Sequence, residues 1–167
     1  MKSSIVKTIT RNAVVAAIYF LLTFATTPFS FGQVQFRLAE ALILLCFFRR
    51  DYVFGLTIGC LCANCLSTLG PWDILIGTAA TFVSCLGISF CKHLFIATLI
   101  PVVVNAFAVG TELYFVLQFN LWLGVAYVAL GELICVSVLG YMLFLLLRRN
   151  KPFMLAIGAN RGLDFKW

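Results

Sequence analysis

The chain has 167 residues, of which 63% are hydrophobic and only 11% charged, with a mean hydropathy of +1.07. That composition excludes an ordinary soluble domain and identifies an integral membrane protein. Six spans of about 20 residues would consume most of the chain, leaving nothing for a catalytic domain outside the bilayer.

The first apolar run, 9–26, follows Lys2, Lys7 and Arg11. Its charge pattern is that of a signal peptide, but no small-x-small cleavage site follows Phe24, so a retained helix is predicted. Ala13 and Ala17 stand four apart with Ala16 beside them, a smooth stripe for close helix packing, either by an internal neighbour or by another protein. Pro28 ends the run, and residues 27–36 form a polar and aromatic loop with Gln33 and Gln35. The second segment, 37–48, is short and stops at Arg49-Arg50-Asp51. Its Arg37 and Glu40 lie three apart on one helix face, either as an internal pair or as ligand contacts.

The third segment, 52–67, carries Gly55 and Gly59 at small-xxx-small spacing. Cys60-x-Cys62-x-x-Cys65 has a metal-like spacing, but a tetrahedral site needs four ligands and His93 falls on the other side of the membrane. Helix packing is the expected role. The seven cysteines fit no disulfide framework, since most lie within apolar segments. After the Gly70-Pro71 turn, the fourth segment runs 72–90, with Trp72 as an interface anchor and Asp73 in the helix-starting turn. The fifth, 94–119, contains Asn105 and Glu112; the sixth, 121–147, contains Glu132 and closes at Arg148-Arg149-Asn150-Lys151.

Six spans put both chain ends and the loops at Arg49-Arg50 and Lys92 on one side, which then holds every Lys and Arg except Arg37. Lysine and arginine asymmetry sets orientation, so this basic side is predicted to be cytoplasmic. If the short second segment failed to cross, basic clusters would fall on both sides. The +6 net charge is therefore a topology signal and not a nucleic-acid footprint. No phosphate-cradling Gly-Lys-Ser/Thr loop occurs, so no P-loop ATPase activity is expected. No internal repeat relates the first three spans to the last three, which counts against inverted-repeat transporters.

An ionised side chain at bilayer depth costs roughly 2.5–3.5 kcal/mol on insertion scales, so it faces protein or water. At about 1.5 Å per residue, Arg37, Glu40, Asn64, Asp73, Glu112 and Glu132 all fall in the outer half, with Asn105 nearer the middle. This describes a pocket opening outward, not a pore. Glu112 and Glu132 have no basic residue at comparable depth on their own helices, which favours ligand contact. The tail 152–167, mixing Phe153, Leu155, Ile157 and Trp167 with Arg161 and Lys166, reads as an interfacial segment or a disordered end and is assigned no role.

Gln33-x-Gln35-Phe36-Arg37-Leu38-Ala39-Glu40-Ala41-Leu42 resembles the most recognisable motif of the queuosine-precursor transporter family. So do Gly59-Cys60 through Asn64, Asp73 through Gly77-Thr78-x-x-Thr81, Glu112-Leu113-Tyr114 and Gly131-Glu132-Leu133. The resemblance runs from about Ala13 to Lys151, leaving the tail outside. Members are substrate-binding S components of energy-coupling factor (ECF) transporters. The resemblance implies an all-α bundle of six transmembrane helices, multi-pass in a bacterial cell membrane with both termini cytoplasmic. It implies capture of a queuosine precursor, and docking on a coupling subunit with two ATPase subunits through the motif that Ala13 and Ala17 match. No cofactor is implied for this chain.

For a 7-deazapurine with a guanine-like edge, chemistry makes Glu112 the first and Glu132 the second acceptor of paired N–H donors. The other carboxylate, or Asp73, would neutralise an aminomethyl group. Asn105 would serve ring heteroatoms, and Tyr114, Trp122 and Trp72 would stack.

Overall fold

The computed structural model describes residues 2–30 and 35–160; Gln33, Arg161, Lys166 and Trp167 lie outside the described residues. Every regular element among those described is helical. Helix α1 (Lys2–Ala25) is followed by the single turn α2 (Thr27–Ser30), then by a 3₁₀ helix (Leu38–Leu44) that runs into α3 (Leu45–Phe48). After α4 (Tyr52–Asn64), α5 (Pro71–Phe90) and α6 (Leu94–Leu117), α7 (Leu121–Glu132) continues through a π-helical stretch (Leu133–Gly140) into α8 (Tyr141–Leu147). A last helix, α9 (Lys151–Ala156), closes the described chain.

Four stretches are long and apolar enough to cross a membrane: Ile5–Ala25, Pro71–Phe90, Leu94–Leu117 and Leu121–Leu147. Leu38–Phe48 and Tyr52–Asn64 are shorter apolar rods. The protein is an all-α membrane protein with four helices long and apolar enough to span and two shorter apolar rods at the second and third of the six predicted positions. The second rod position is short because its helix is replaced by stretched backbone. Residues 35–37 are non-helical and the next seven are 3₁₀. At about 3.3 Å per extended residue and about 2.0 Å per 3₁₀ residue, residues 35–48 reach about 30 Å, the thickness of a hydrocarbon core. Irregular backbone at such depth survives only inside protein, and Gln35, Arg37, Ala39 and Glu40 are all buried.

Small residues set the close contacts. A Cβ on Gly55 would lie 2.7 Å from the Asn12 carbonyl, and one on Gly59 would lie 2.9 Å from that of Ala16, so α1 and α4 touch backbone to backbone. Gly110 does the same for α6 against α7, where a Cβ would stand 2.9 Å from the Val125 nitrogen. Gly140 of the π-helical stretch lets Ala41 and Leu44 approach, so the two irregular segments lie against each other.

The apolar core gathers where the basic residues are. Phe48, Tyr52, Phe144 and Met154 are almost fully buried there. Residues 152–160 pack into this end instead of trailing from it. Tyr52 Oη donates to the Ile157 carbonyl at 2.7 Å, Arg49 Nη1 to that of Gly158 at 3.0 Å, and the Asn160 amide to that of Phe48 at 3.0 Å. Helix α1 is the peripheral member. Only 11% of its apolar window is buried, against 50% for α5 and for α6.

Candidate functional site

The polar end of the bundle lies opposite that core, and its centre is Arg37. Stretched backbone carries this guanidinium inward between α2 and α5. Its Nη2 donates to both carboxylate oxygens of Asp73 at 3.1 Å, and its Nε to the Ser30 carbonyl at 3.3 Å. Asp73 sits in the first turn of α5, fully buried, and its carboxylate is taken up by Arg37. The carboxylate partner of Arg37 is thus Asp73, 36 residues on, a pairing that helix-face spacing cannot reveal.

Asn64 at the end of α4 buttresses the pair. Its Nδ2 donates to the Asp73 carbonyl at 3.0 Å and lies 3.3 Å from Thr78 Oγ1. Gly77 makes this fit possible, since a Cβ there would stand 2.7 Å from Asp73 Oδ1 and 2.9 Å from Asn64 Nδ2.

A deeper tier surrounds Glu40. Tyr19 Oη donates to Glu40 Oε1 at 2.5 Å, and Thr81 Oγ1 donates to the same oxygen at 3.3 Å. Cys60 Sγ lies 3.2 Å from Thr81 Oγ1. Helices α1 and α5 therefore meet the 3₁₀ segment on one carboxylate, and α4 joins them through Cys60 and Thr81. Beside it Asn105 Nδ2 donates to Glu132 Oε1 at 2.6 Å. Antiparallel α6 and α7 put the two residues at similar depth, each about 17 Å below the same turn at 1.5 Å per residue. Gly131 admits the Gln35 carbonyl where a Cβ would collide, which seats the extended strand against α7 next to Glu132.

Glu112 differs from the rest. It is fully buried about 8 Å below the end of α6, within electrostatic reach of Asp73 and Arg37. Neither carboxylate oxygen has a hydrogen-bond partner among the described residues. The same holds for Glu40 Oε2, Glu132 Oε2, Asn64 Oδ1 and Asn105 Oδ1. A buried polar atom left unpaired costs about 1–3 kcal/mol, more if charged. Six such acceptors in one region, with four carboxyl groups to one guanidinium, define a site short of N–H donors and of positive charge.

Three expected contributors lie elsewhere. Trp72, Tyr114 and Trp122 are 55%, 44% and 72% exposed, whereas the polar cluster is buried. Trp72 sits next to buried Asp73, and Tyr114 lies two residues beyond buried Glu112; on a helix such neighbours point in different directions. The aromatic group the sequence reading overlooked is Tyr19. Its signal was available: Val15, Tyr19 and Thr23, spaced by four, are the buried stripe of α1. On the opposite side of that helix Ala13 and Ala17 are exposed, while Ala16 packs on Gly59. Ala13 lines a surface groove of about 690 Å³ between α1 and α4, with Ile9, Phe54 and Ile58. The cysteine spacing does not converge: Cys60 is buried in the polar cluster, whereas Cys62 and Cys65 are exposed.

These site residues fall within one family match. The family model of the QueT transporter covers residues 9–149. The chain belongs to the QueT transporter family. It is also 38% identical over 86 residues to the queuosine precursor transporter QueT of Lactococcus lactis subsp. cremoris (strain MG1363). That alignment spans 50% of this chain and 50% of the relative, so about half the length of that curated relative is matched. No solved structure matches. The QueT match takes in both tiers of the polar cluster and stops before α9.

Proposed function

We propose that this chain is the substrate-binding S component of an ECF-type transporter, capturing a queuosine precursor outside the cell for ATP-driven uptake by partner subunits. The observation that carries this reading is the set of six buried, unpartnered acceptor atoms on Glu40, Asn64, Asn105, Glu112 and Glu132. A 7-deazapurine with a guanine-like edge offers adjacent N–H donors, which the free carboxylate of Glu112 accepts. An aminomethyl group is matched by Glu132 or Glu40 in the deeper tier, and Asn105 Oδ1 remains for a further N–H. Asp73 is withdrawn from that role by its bond to Arg37.

The topology is six crossings with both ends cytoplasmic. Support comes from α9 and the first half of α1 lying at one end, where Arg11 Nη2 is 3.5 Å from the Leu155 carbonyl, together with the basic loops. ATP hydrolysis belongs to two ATPase subunits. The coupling subunit docks on the exposed face of α1 at Ala13 and Ala17. Neither cofactor nor nucleic acid takes part.

Mass spectrometry of the co-purified ligand, followed by binding of queuine-type bases against riboflavin, biotin and thiamine, tests the substrate. Tight binding of a vitamin without the bases would replace this reading with an S component for that vitamin. For the partner, Ala17→Leu is expected to abolish uptake while ligand binding survives. Uptake by the chain alone, without ATPases, would make it a solitary transporter.

A further inference from the structure

At the basic end a second cavity, about 340 Å³, opens between α1 and α8. Val14 and Ile18 of α1 form one wall, Leu143 and Leu147 of α8 the other, and Phe153 and Ala156 of α9 the floor. Val14, Ile18 and Leu143 are exposed toward the surroundings of the bundle, so the slot faces the bilayer sideways. A cavity with such walls does not hold water. In a membrane it is filled by hydrocarbon, and α1 is the least buried of the four long helices.

Charge decides which hydrocarbon. Arg11 is the charged residue in the lining. Arg148 caps α8 and Lys151 opens α9, so the end of the bundle at which the slot lies is basic. Asp51 is the acidic residue of this end among those described, and Arg49 Nη2 and Nε already bond it at 2.5 Å and 2.9 Å. From Arg11 to Ile18 is about 10 Å along α1, well inside one leaflet of roughly 15 Å of hydrocarbon.

We infer that the slot between α1 and α8 binds one anionic phospholipid, with an acyl chain along Val14 and Ile18 and its phosphate at Arg11. Basic pockets between membrane helices recognise anionic headgroups in this way. The lipid wedges α1 against the bundle at a site independent of the polar cluster.

The test uses the full chain in nanodiscs of phosphatidylcholine with a minor fraction of phosphatidylglycerol carrying a photoreactive acyl chain. Cross-links are expected within 10–18 and 143–157, and native mass spectrometry should retain one phosphatidylglycerol per chain. Arg11→Gln should lower the preference for phosphatidylglycerol at least fivefold, and Val14→Trp should remove the retained lipid while leaving ligand binding intact. Cross-links spread evenly over exposed residues such as Phe95 and Phe107 would overturn the inference, and they need no variant to fold. So would retention unchanged in both variants, or a lipid-free dimer, which would assign the slot to a second copy.

Discussion

At the basic end, Phe48, Tyr52, Phe144 and Met154 interlock, and the polar groups of Arg49, Tyr52 and Asn160 are answered by backbone carbonyls. At the opposite end, buried carboxylates and amides outnumber their donors, and six acceptor atoms are unanswered among the described residues. The first region follows the rule that buried polar groups are paired; the second breaks it. Local rules are broken where function needs it and the rest of the fold carries the cost. The difference sets an end whose described polar groups are answered against one that holds both a buried ion pair and unanswered acceptors.

The largest effect should come from Arg37→Ala. It strands the fully buried Asp73 carboxylate, and losing one partner of a buried pair costs about 3–5 kcal/mol. Melting in detergent should show that loss; an unchanged melting temperature would mean that the Arg37–Asp73 pair is dispensable to the fold. Glu112→Gln sharpens the contrast from the other side. With no protein partner to lose, its melting temperature should hold, whereas ligand affinity should fall by about 1.5–3 kcal/mol, the range for charged hydrogen bonds. Calorimetry on the purified protein measures both.

Tyr52→Phe reverses that pattern. Deleting the bond to the Ile157 carbonyl should cost about 1 kcal/mol of stability, with ligand affinity unchanged. Smallest of all, Trp122→Ala should alter neither quantity measurably. Stacking on a base would be worth about 1–3 kcal/mol, so a tenfold affinity loss in this variant would restore the exposed tryptophan to the site.

The elements themselves were largely legible in the sequence. Apolar runs located the six main rods, Gly55 and Gly59 marked a close helix contact without naming its partner, and the acidic residues marked the polar end. Two features escaped. The helical pattern assumed for 37–48 hid the stretched backbone of residues 35–37 and the 3₁₀ turns, because periodicity reports which residues are apolar and not how far each one rises. The tail looked separable at residue 151 because its composition resembles an interfacial segment, whereas Met154 and Ile157 are held in the core by contacts with Phe48 and Tyr52 roughly a hundred positions earlier.

What the amino-acid order determined alone was the class of solvent and, for polar groups on regular helices, their distance from the helix end, since hydropathy and a fixed rise per residue act along the chain. Which acid meets Arg37 and which amide meets Glu132 were decided only when separate rods packed. Those choices depend on the rotation of one helix against another, a quantity that no single stretch of sequence contains.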